Sequence, residues 1–421
     1  MVSVSSNQQF HRLLSLTKLL TSHVNNGFHD QALSLFRQLH STLSLDPYVF
    51  PLALKSCTAS NSPILGSSIH THIIKSSLLH NPFVSSALIN MYGKCVSISS
   101  AHHLFDEIPL KNVVVWNSMI SLYAQSGDIP RALNLFETMN IAPNESSFNS
   151  IISNLDNESS VQFYRRMQSI KLKPNLITLL ALLRSAMSTA SLQMIQEIHS
   201  FSIRNRISSN PQLDSGLVEA YGRCGSIINS RIVFEHMTER DVVAWSSLIS
   251  AYALDGDSET ALKTFSEMET AKVKPDDITF LGVLKACSHA GKADEARLYF
   301  GRMKNDYGLE PNSDHYSCLV DAISRAGRIR EAYEVVLNMP VKATAKAWGA
   351  ILGACRTYGE EVEIAEIAGK ALMEIEPDNA ANFVLLGRIY ASAGRYEEAD
   401  RIRREMMEKG VKAAPGGSWI M

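Results

Sequence analysis

From Val242 to Asp276 the apolar residues recur with a helical period, break off, and recur again. Val243, Trp245, Leu248, Ile249 and Tyr252 share one helical face, and Ala261, Leu262, Phe265 and Met268 share another. Between them lies Asp255-Gly256-Asp257. Glycine tolerates the left-handed conformation that ends a helix, and Asp257 or Ser258 can cap the next helix by accepting a free backbone N–H. Val273-Lys274-Pro275-Asp276 is expected to stop the second helix, because proline forces the residue before it out of the α region. The pattern predicts a helical hairpin of 35 residues.

Variations of this hairpin run along the whole chain. Second-helix segments rhyme, with ALSLF at 32, ALNLF at 132, ALKTF at 261 and EARLYF at 295, and so do first-helix segments, WNSMISLYAQSG at 116 answering WSSLISAYALDG at 245. The inter-helix glycines Gly225, Gly256, Gly291, Gly327, Gly359 and Gly394 are spaced 31, 35, 36, 32 and 35 apart. Repeats are accordingly placed at 13–46, 47–81, 82–112, 113–144, 145–175, 176–210, 211–241, 242–276, 277–312 and 313–344, and two further hairpins follow at 345–378 and 379–421. A period of this length predicts an all-α superhelical solenoid, in which each hairpin buries its apolar face against its neighbours. Two places are irregular: Val96 stands where a turn glycine is expected, and the unit 145–175 is shortened across its turn.

Composition changes the picture in three respects. With 45% hydrophobic and 19% charged residues, wholesale disorder is excluded, and no run approaches the roughly 18 apolar residues of a membrane span. The net charge of -2 supplies no global field for a polyanion, so nucleic-acid binding must rest on local placement of Lys and Arg. The cysteines follow the repeat, Cys57 and Cys287 at one position and Cys95 and Cys224 at another, and read as small buried hydrophobes rather than disulfides or metal ligands. The first 29 residues hold no Asp or Glu, which suits either a short transit peptide or a disordered leader over 1–12.

Unit lengths cycle through roughly 35, 35 and 31 residues in three flavours. The first is seen in VVWNSMISLYAQSG and VAWSSLISAYALDG, the second in ITFLGVLKACSHAG and YVFPLALKSCTASN, the third in FVSSALINMYGKC and DSGLVEAYGRCGS. This resembles a plant pentatricopeptide-repeat protein of the PLS class, in which P, L and S motifs alternate. DHYSCLVDAISRAGRIREAYEVVLNMP resembles the last S-type motif, residues 345–378 the E1 motif and 379–421 the E2 motif, which together mark the E subgroup. The resemblance implies a right-handed superhelix whose first helices line a groove reading single-stranded RNA, one base per repeat.

It further implies that the fifth and last residues of P and S repeats are the readers. Short polar side chains suit that task, Asn, Ser and Thr offering donors and acceptors to a base edge while Asp only accepts. By the family's pairing rule Thr17 with Asp46 favours G, Ser86 with Asn112 favours A, and Asn117 with Asn144 and Asn149 with Asn175 each favour a pyrimidine. Ser215 with Asp241 and Ser246 with Asp276 favour G; Ser317 with Thr344 is no standard pair. Pro51, Leu180 and Leu281 fill the fifth position of L repeats and leave them unread. The implied ligand is 5′-G-N-A-Y-Y-N-G-G-N-N-3′. Apolar second residues such as Leu14, Phe83, Val114 and Val243 are expected against base faces, with Ser146, Gln212 and Asp314 departing from that pattern. Arg325, Arg328, Arg330, Lys342, Lys346 and Arg356 compete between phosphate contact and plain surface charge, the latter reading preferred.

Catalysis by this chain is not expected. Deaminase-bearing relatives need His-x-Glu and Cys-x-x-Cys for zinc, and neither occurs; nor does a phosphate-binding GxxxxGK[ST] loop, a GxSxG elbow or an HExxH helix, so no metal or other cofactor is expected. His70 and His72 read as ordinary second-helix residues. The E-type ending implies selection of C-to-U editing sites, with E1 and E2 recruiting a DYW-type deaminase or other editing factors in trans. The location implied is an organelle, the mitochondrion first and the plastid as alternative. Splicing, stability or translation of an organellar transcript needs the same groove, and a tetratricopeptide-like protein scaffold without RNA is the reading from a different class.

Overall fold

A computed structural model describes residues 15–42, 47–207, 210–359 and 361–411. Leu14, Asp46, the leader 1–12 and the terminal GGSWIM lie outside the described residues. Those described form helices and turns without a strand, and contacts divide the chain into two units, one reaching Thr189 and one starting at Ala190.

The first unit holds α1 (15–25) and α2 (His29–Thr42), then the hairpins α3 (Val49–Ala59) with α4 (Pro63–Lys75), α5 (Pro82–Cys95) with α6 (Ile98–Glu107), α7 (Val113–Gln125) with α8 (Ile129–Glu137), and α9 (Glu145–Ile152) with α10 (Asn157–Ser169), ending at α11 (Leu176–Ser188). The second begins with α12 (Leu192–Arg204). It continues with α13 (Pro211–Arg223) and α14 (Ile227–His236), α15 (Val242–Asp255) and α16 (Ser258–Thr270), α17 (Asp277–His289) and α18 (Ala293–Asn305), α19 (Ser313–Arg325) and α20 (Ile329–Asn338), α21 (Ala345–Tyr358) and α22 (Val362–Ile375), and α23 (Ala380–Ser392) and α24 (Tyr396–Glu408). Within each unit first helices pack on first helices: α3, α5, α7, α9 and α11 in one series, α13, α15, α17, α19 and α21 in the other.

The rhyming second-helix phenylalanines explain the stacking. Each meets an aromatic ring in the first turn of the next first helix, edge to face: Phe36 on Phe50 with centroids 6.0 Å apart, Phe136 on Phe148 at 5.0 Å, Phe265 on Phe280 at 5.5 Å and Phe300 on Tyr316 at 4.9 Å; Phe105 on Trp116 at 5.0 Å and Phe234 on Trp245 at 4.6 Å do the same in two other hairpins. Such a pair contributes about 0.5–1.5 kcal/mol beyond its buried area. The sequence rhyme therefore records an interface between neighbours, not a feature inside one hairpin. First helices also approach closely where small residues face one another: a Cβ built on Gly222 of α13 would stand 2.5 Å from Ala251 Cβ of α15.

The turn chemistry follows expectation at one end of the reference hairpin and differs at the other. Gly256 is left-handed at φ +88°, and Asp257 caps α16 by accepting the Thr260 N–H at 3.0 Å. Yet α16 ends at Thr270, before Pro275 can act. Lys272 takes φ +58°, and the Val273 N–H reaches back to Met268 O at 3.2 Å, so a left-handed residue closes the helix and proline only follows it. Val96 ends α5 without a positive φ, and α9 is 8 residues long, the shortened unit seen in the sequence. The six cysteines are free thiols. Burial pushes Cys57 up to about 11 and Cys287 up to about 12, so neither is a thiolate near neutral pH.

Candidate nucleic-acid interface

Among the described residues, those in the last position of a P or S repeat are the N-caps of the first helices that follow; α3, after the first repeat, has Tyr48 as its N-cap, without a side-chain capping bond. Asn112, Asn144, Asn175, Asp241, Asp276 and Thr344 all accept a backbone N–H from the first turn of that helix, as Asp241 does from Ala244 at 2.8 Å and Asp276 from Thr279 at 2.8 Å. Capping fixes the side-chain oxygen in space. Because first helices stack on first helices, that oxygen can meet the fifth residue of the hairpin before.

Four pairs meet directly. Asn117 Nδ2 donates to Asn144 Oδ1 at 3.1 Å and Asn149 Nδ2 to Asn175 Oδ1 at 3.1 Å; Ser215 Oγ reaches Asp241 Oδ1 at 2.9 Å with Pro211 O as a second acceptor at 2.7 Å, and the Ser317 hydroxyl lies 2.8 Å from that of Thr344 and 2.7 Å from Ser313 O. Two pairs are not joined in this way. Ser86 Oγ lies 2.7 Å from Ser118 Oγ, while Asn112 Oδ1 serves Val114 and Val115 N–H groups at 3.1 Å. Ser246 donates to Val243 O of its own helix at 3.1 Å, and Asp276 Oδ1 accepts the Thr279 hydroxyl at 2.6 Å. Thr17 lies in α1, half-buried, with its carbonyl accepting from the Thr21 hydroxyl at 2.9 Å.

In the second unit three open cavities of about 410, 580 and 620 Å³ follow one another along the first-helix face, sharing Leu281 and Lys285, then Asp321 and Gly349. Ser246, Leu281, Ser317 and Gly349, the fifth residues of four successive hairpins, all line them. Arg223, Lys285, Lys346, Arg325 and Arg356 line the same cavities together with Glu219, Asp314 and Asp321, a modest excess of positive charge, and Arg223 is paired with Glu219 at 2.9 Å. Arg223 and Lys285 were not singled out from the sequence. Several of the basic residues that were are tied to acids: Arg325 to Asp321 at 3.0 Å, Arg328 to Asp294 and Glu331 at 2.6 Å, Arg330 to Glu361 at 2.5 Å, and Lys346 to Asp314 at 3.4 Å.

Second residues of the repeats expose apolar side chains. Phe83 and Val243 do so, and so do Tyr48, Ile177 and Ile278 of the L repeats, all between 46% and 64% exposed. Tyr48 and Phe83 are neighbours, with ring centroids 6.3 Å apart. Val114 is half-buried, and Ser146, Gln212 and Asp314 are exposed polar substitutes. The L repeats, whose fifth residues Pro51, Leu180 and Leu281 carry no hydrogen-bonding side chain, thus also expose an apolar second residue. That signal was available in the sequence at the same phase.

His70, expected to be an ordinary second-helix residue, is a hydrogen-bonding partner between hairpins. Its Nδ1 lies 2.9 Å from Tyr92 OH, and the same arrangement recurs at His102 with Tyr123 and His199 with Tyr221, both at 3.1 Å. His72 stacks on Phe50 with centroids 6.0 Å apart. Among the described residues no three His, Cys, Asp or Glu side chains gather as a metal site, and no helix is long and apolar enough to cross a membrane.

Comparison with known proteins decides the family. A putative pentatricopeptide repeat-containing protein of Arabidopsis thaliana is 59% identical over 417 residues, which cover 97% of each chain. The chain belongs to the pentatricopeptide-repeat family. PPR repeat family profiles match residues 111–157 and 240–289, a pentatricopeptide repeat domain profile 273–326, and an E motif profile 359–421, which places it in the E subgroup of the PLS class. Other pentatricopeptide-repeat relatives are longer: the chain spans 65% of one Arabidopsis protein at 32% identity and 45% of a chloroplastic one at 35% identity, covering 96% and 98% of itself. Among solved structures, the maize pentatricopeptide repeat protein PPR10 aligns over 94% of this chain and 64% of its own with a TM-score of 0.59 at 16% identity, a likeness of fold. The same maize protein has been crystallised with an 18-nt psaJ RNA element.

Proposed function

We propose that this pentatricopeptide-repeat chain binds single-stranded organellar RNA in a sequence-specific manner and selects sites for C-to-U editing by a deaminase supplied in trans. The observation that carries the reading is the meeting of fifth and last side chains across consecutive hairpins, as in Asn117–Asn144, Asn149–Asn175 and Ser215–Asp241. A cap oxygen held beside a short polar side chain offers a base edge two adjacent hydrogen-bonding groups in fixed register wherever the two side chains meet. The exposed apolar second residues supply apolar contact for base faces, and Lys285 and Arg356 in the same cavities supply phosphate contacts.

The E motif match at 359–421 supports the editing role, and residues 345–421 are the surface proposed for a DYW-type deaminase or another editing factor. Chloroplastic relatives support an organellar location; the plastid thereby stands beside the mitochondrion, and a fluorescent fusion in plant cells separates the two. The test of RNA recognition is a gel-shift series with 5′-G-N-A-Y-Y-N-G-G-N-N-3′ against the same probe carrying A at nucleotides 7 and 8. Preference for the first probe supports the reading. Equal or absent binding to both rejects it and leaves a protein-binding scaffold as the explanation.

A further inference from the structure

The repeats 113–144 and 145–175 carry the same Asn/Asn pair and differ in what holds the reading side chain. In the first, Asn117 donates Nδ2 to Asn144 Oδ1 at 3.1 Å, and its own Oδ1 is buried with no hydrogen-bond partner. Flipping the amide does not help. Asn144 Oδ1 is fixed as an acceptor by the Ser147 N–H at 3.1 Å, so a flipped Asn117 would set oxygen against oxygen.

In the second repeat Asn149 makes the equivalent donation to Asn175 Oδ1 at 3.1 Å, but its Oδ1 also accepts from Thr178 Oγ1 at 2.7 Å. Thr178 is the third residue of α11, fully buried, and its hydroxyl has one proton to give. Asn149 Oδ1 is the nearer acceptor, since Asn175 Oδ1 stands at 3.1 Å, and the Thr178 oxygen in turn accepts the Asn175 N–H at 3.2 Å. Ser147, at the same position one hairpin earlier, spends its hydroxyl inside its own capping box, bonding Asn144 Oδ1 at 3.1 Å and accepting the Asn144 N–H at 3.1 Å.

The energetic consequence differs between the two. A base that draws Asn117 toward the groove breaks one hydrogen bond and can satisfy a carbonyl that has none. Drawing out Asn149 breaks two and relieves nothing, because both ends of its amide are already partnered.

We propose that Thr178 is a specificity-determining residue: it clamps Asn149 against its cap and silences repeat 145–175, while repeat 113–144 reads its nucleotide. The inference rests on the RNA-binding reading above. Its sequence signal is an Asn in the fifth position followed by a Thr in the third position of the next repeat, where Ser leaves the Asn unclamped; Thr279, which follows the serine reader Ser246, bonds its own cap Asp276 instead.

The test uses the purified full chain and 10-nt probes in which C at nucleotide 4 or nucleotide 5 is changed to A, with anisotropy at one fixed salt concentration. Wild type is expected to lose roughly fivefold in affinity for the change at nucleotide 4 and less than about twofold at nucleotide 5, as one neutral hydrogen bond dictates. Thr178→Val, which removes the hydroxyl and keeps the shape, is expected to raise the penalty at nucleotide 5 to roughly fivefold and leave nucleotide 4 unaltered. The reciprocal Ser147→Thr keeps a capping hydroxyl, adds the β-branch that stiffens χ1, and is expected to erase the penalty at nucleotide 4. Equal penalties at both nucleotides in wild type, or no gain at nucleotide 5 in Thr178→Val, overturn the clamp while leaving RNA recognition intact. If Thr178→Val fails to fold, an unchanged penalty at nucleotide 4 in Ser147→Thr overturns it instead. Indifference at nucleotides 4, 5, 7 and 8 alike is the separate result that removes the underlying RNA reading.

Discussion

Asp241→Asn separates the fold from the proposed reading at a single oxygen. Asp241 Oδ1 caps α15 by accepting the Ala244 N–H at 2.8 Å and lies 2.9 Å from the Ser215 hydroxyl, whose other acceptor is Pro211 O at 2.7 Å. Asparagine keeps one acceptor oxygen for both bonds and ranks with aspartate as an N-cap, so the thermal midpoint is expected to stay within roughly 2 °C. The second carboxylate oxygen, by contrast, becomes an NH2 donor. A guanine at nucleotide 7 offers ring and exocyclic N–H donors, and it loses a charged acceptor worth roughly 1.5–3 kcal/mol. Asp241 is solvent-exposed, which puts the effect at the lower end, about tenfold in affinity. Adenine, with an acceptor at the ring nitrogen, gains the new donor. Anisotropy with G and A probes at nucleotide 7, at one salt concentration, should therefore show preference inverting from G to A in the variant. Asp241→Ala is the control: it loses the cap at about 1 kcal/mol, lowers the melting temperature, and weakens both probes. If Asp241→Asn keeps the wild-type preference for G, the pairing of Ser215 with Asp241 is only a capping device and the register is wrong.

Three further outcomes concern the scaffold. Burial holds His70 and His199 below the usual histidine range. A base depressed on folding binds protons more readily when unfolded, so this stability is fully present above the unfolded value near 6.5 and is lost as pH falls from there through the folded value; melting temperature should drop from pH 7.5 to pH 5, less so in His70→Gln with His199→Gln. Gly222→Ala drives a Cβ to 2.5 Å from Ala251 and should destabilise by about 1–3 kcal/mol in denaturant melts, whereas Gly349→Ala, which opens onto free space, should change stability little. Phe234→Ala removes a buried ring packed 4.6 Å from Trp245 and under the Arg240 guanidinium at 4.8 Å, and should cost about 3–5 kcal/mol, read as an earlier unfolding transition.

The hairpin fold was legible because its causes are local and repeated. Phe136 and Phe265 recur in rhyming segments since each fills the same notch against the next hairpin, and Gly256 marks a turn that needs a positive φ. The end of α16 was misread because proline is a visible stop, while Lys272 closes the helix in a left-handed conformation that many residues can adopt at some cost. The interface was half legible for a related reason. Position in the repeat says which residues share the face, and capping chemistry says which oxygens are fixed, but a serine hydroxyl has one proton and rotates among the acceptors in reach, as Ser215 does between Pro211 O at 2.7 Å and Asp241 Oδ1 at 2.9 Å. Hence Ser215 reaches Asp241 while Ser246 turns to Val243 O in its own helix, although both sit at the fifth position with an Asp in the last. Asn117 and Asn149 make the point more sharply. Their repeats present the same two letters, and the difference lies in a third residue, Ser147 in one and Thr178 in the other, that belongs to the following hairpin. A recognition rule written for two residues per repeat has no place for that neighbour. If the clamp on Asn149 holds, the unit of recognition in such an array is the interface between hairpins, and a third position must be read with the other two.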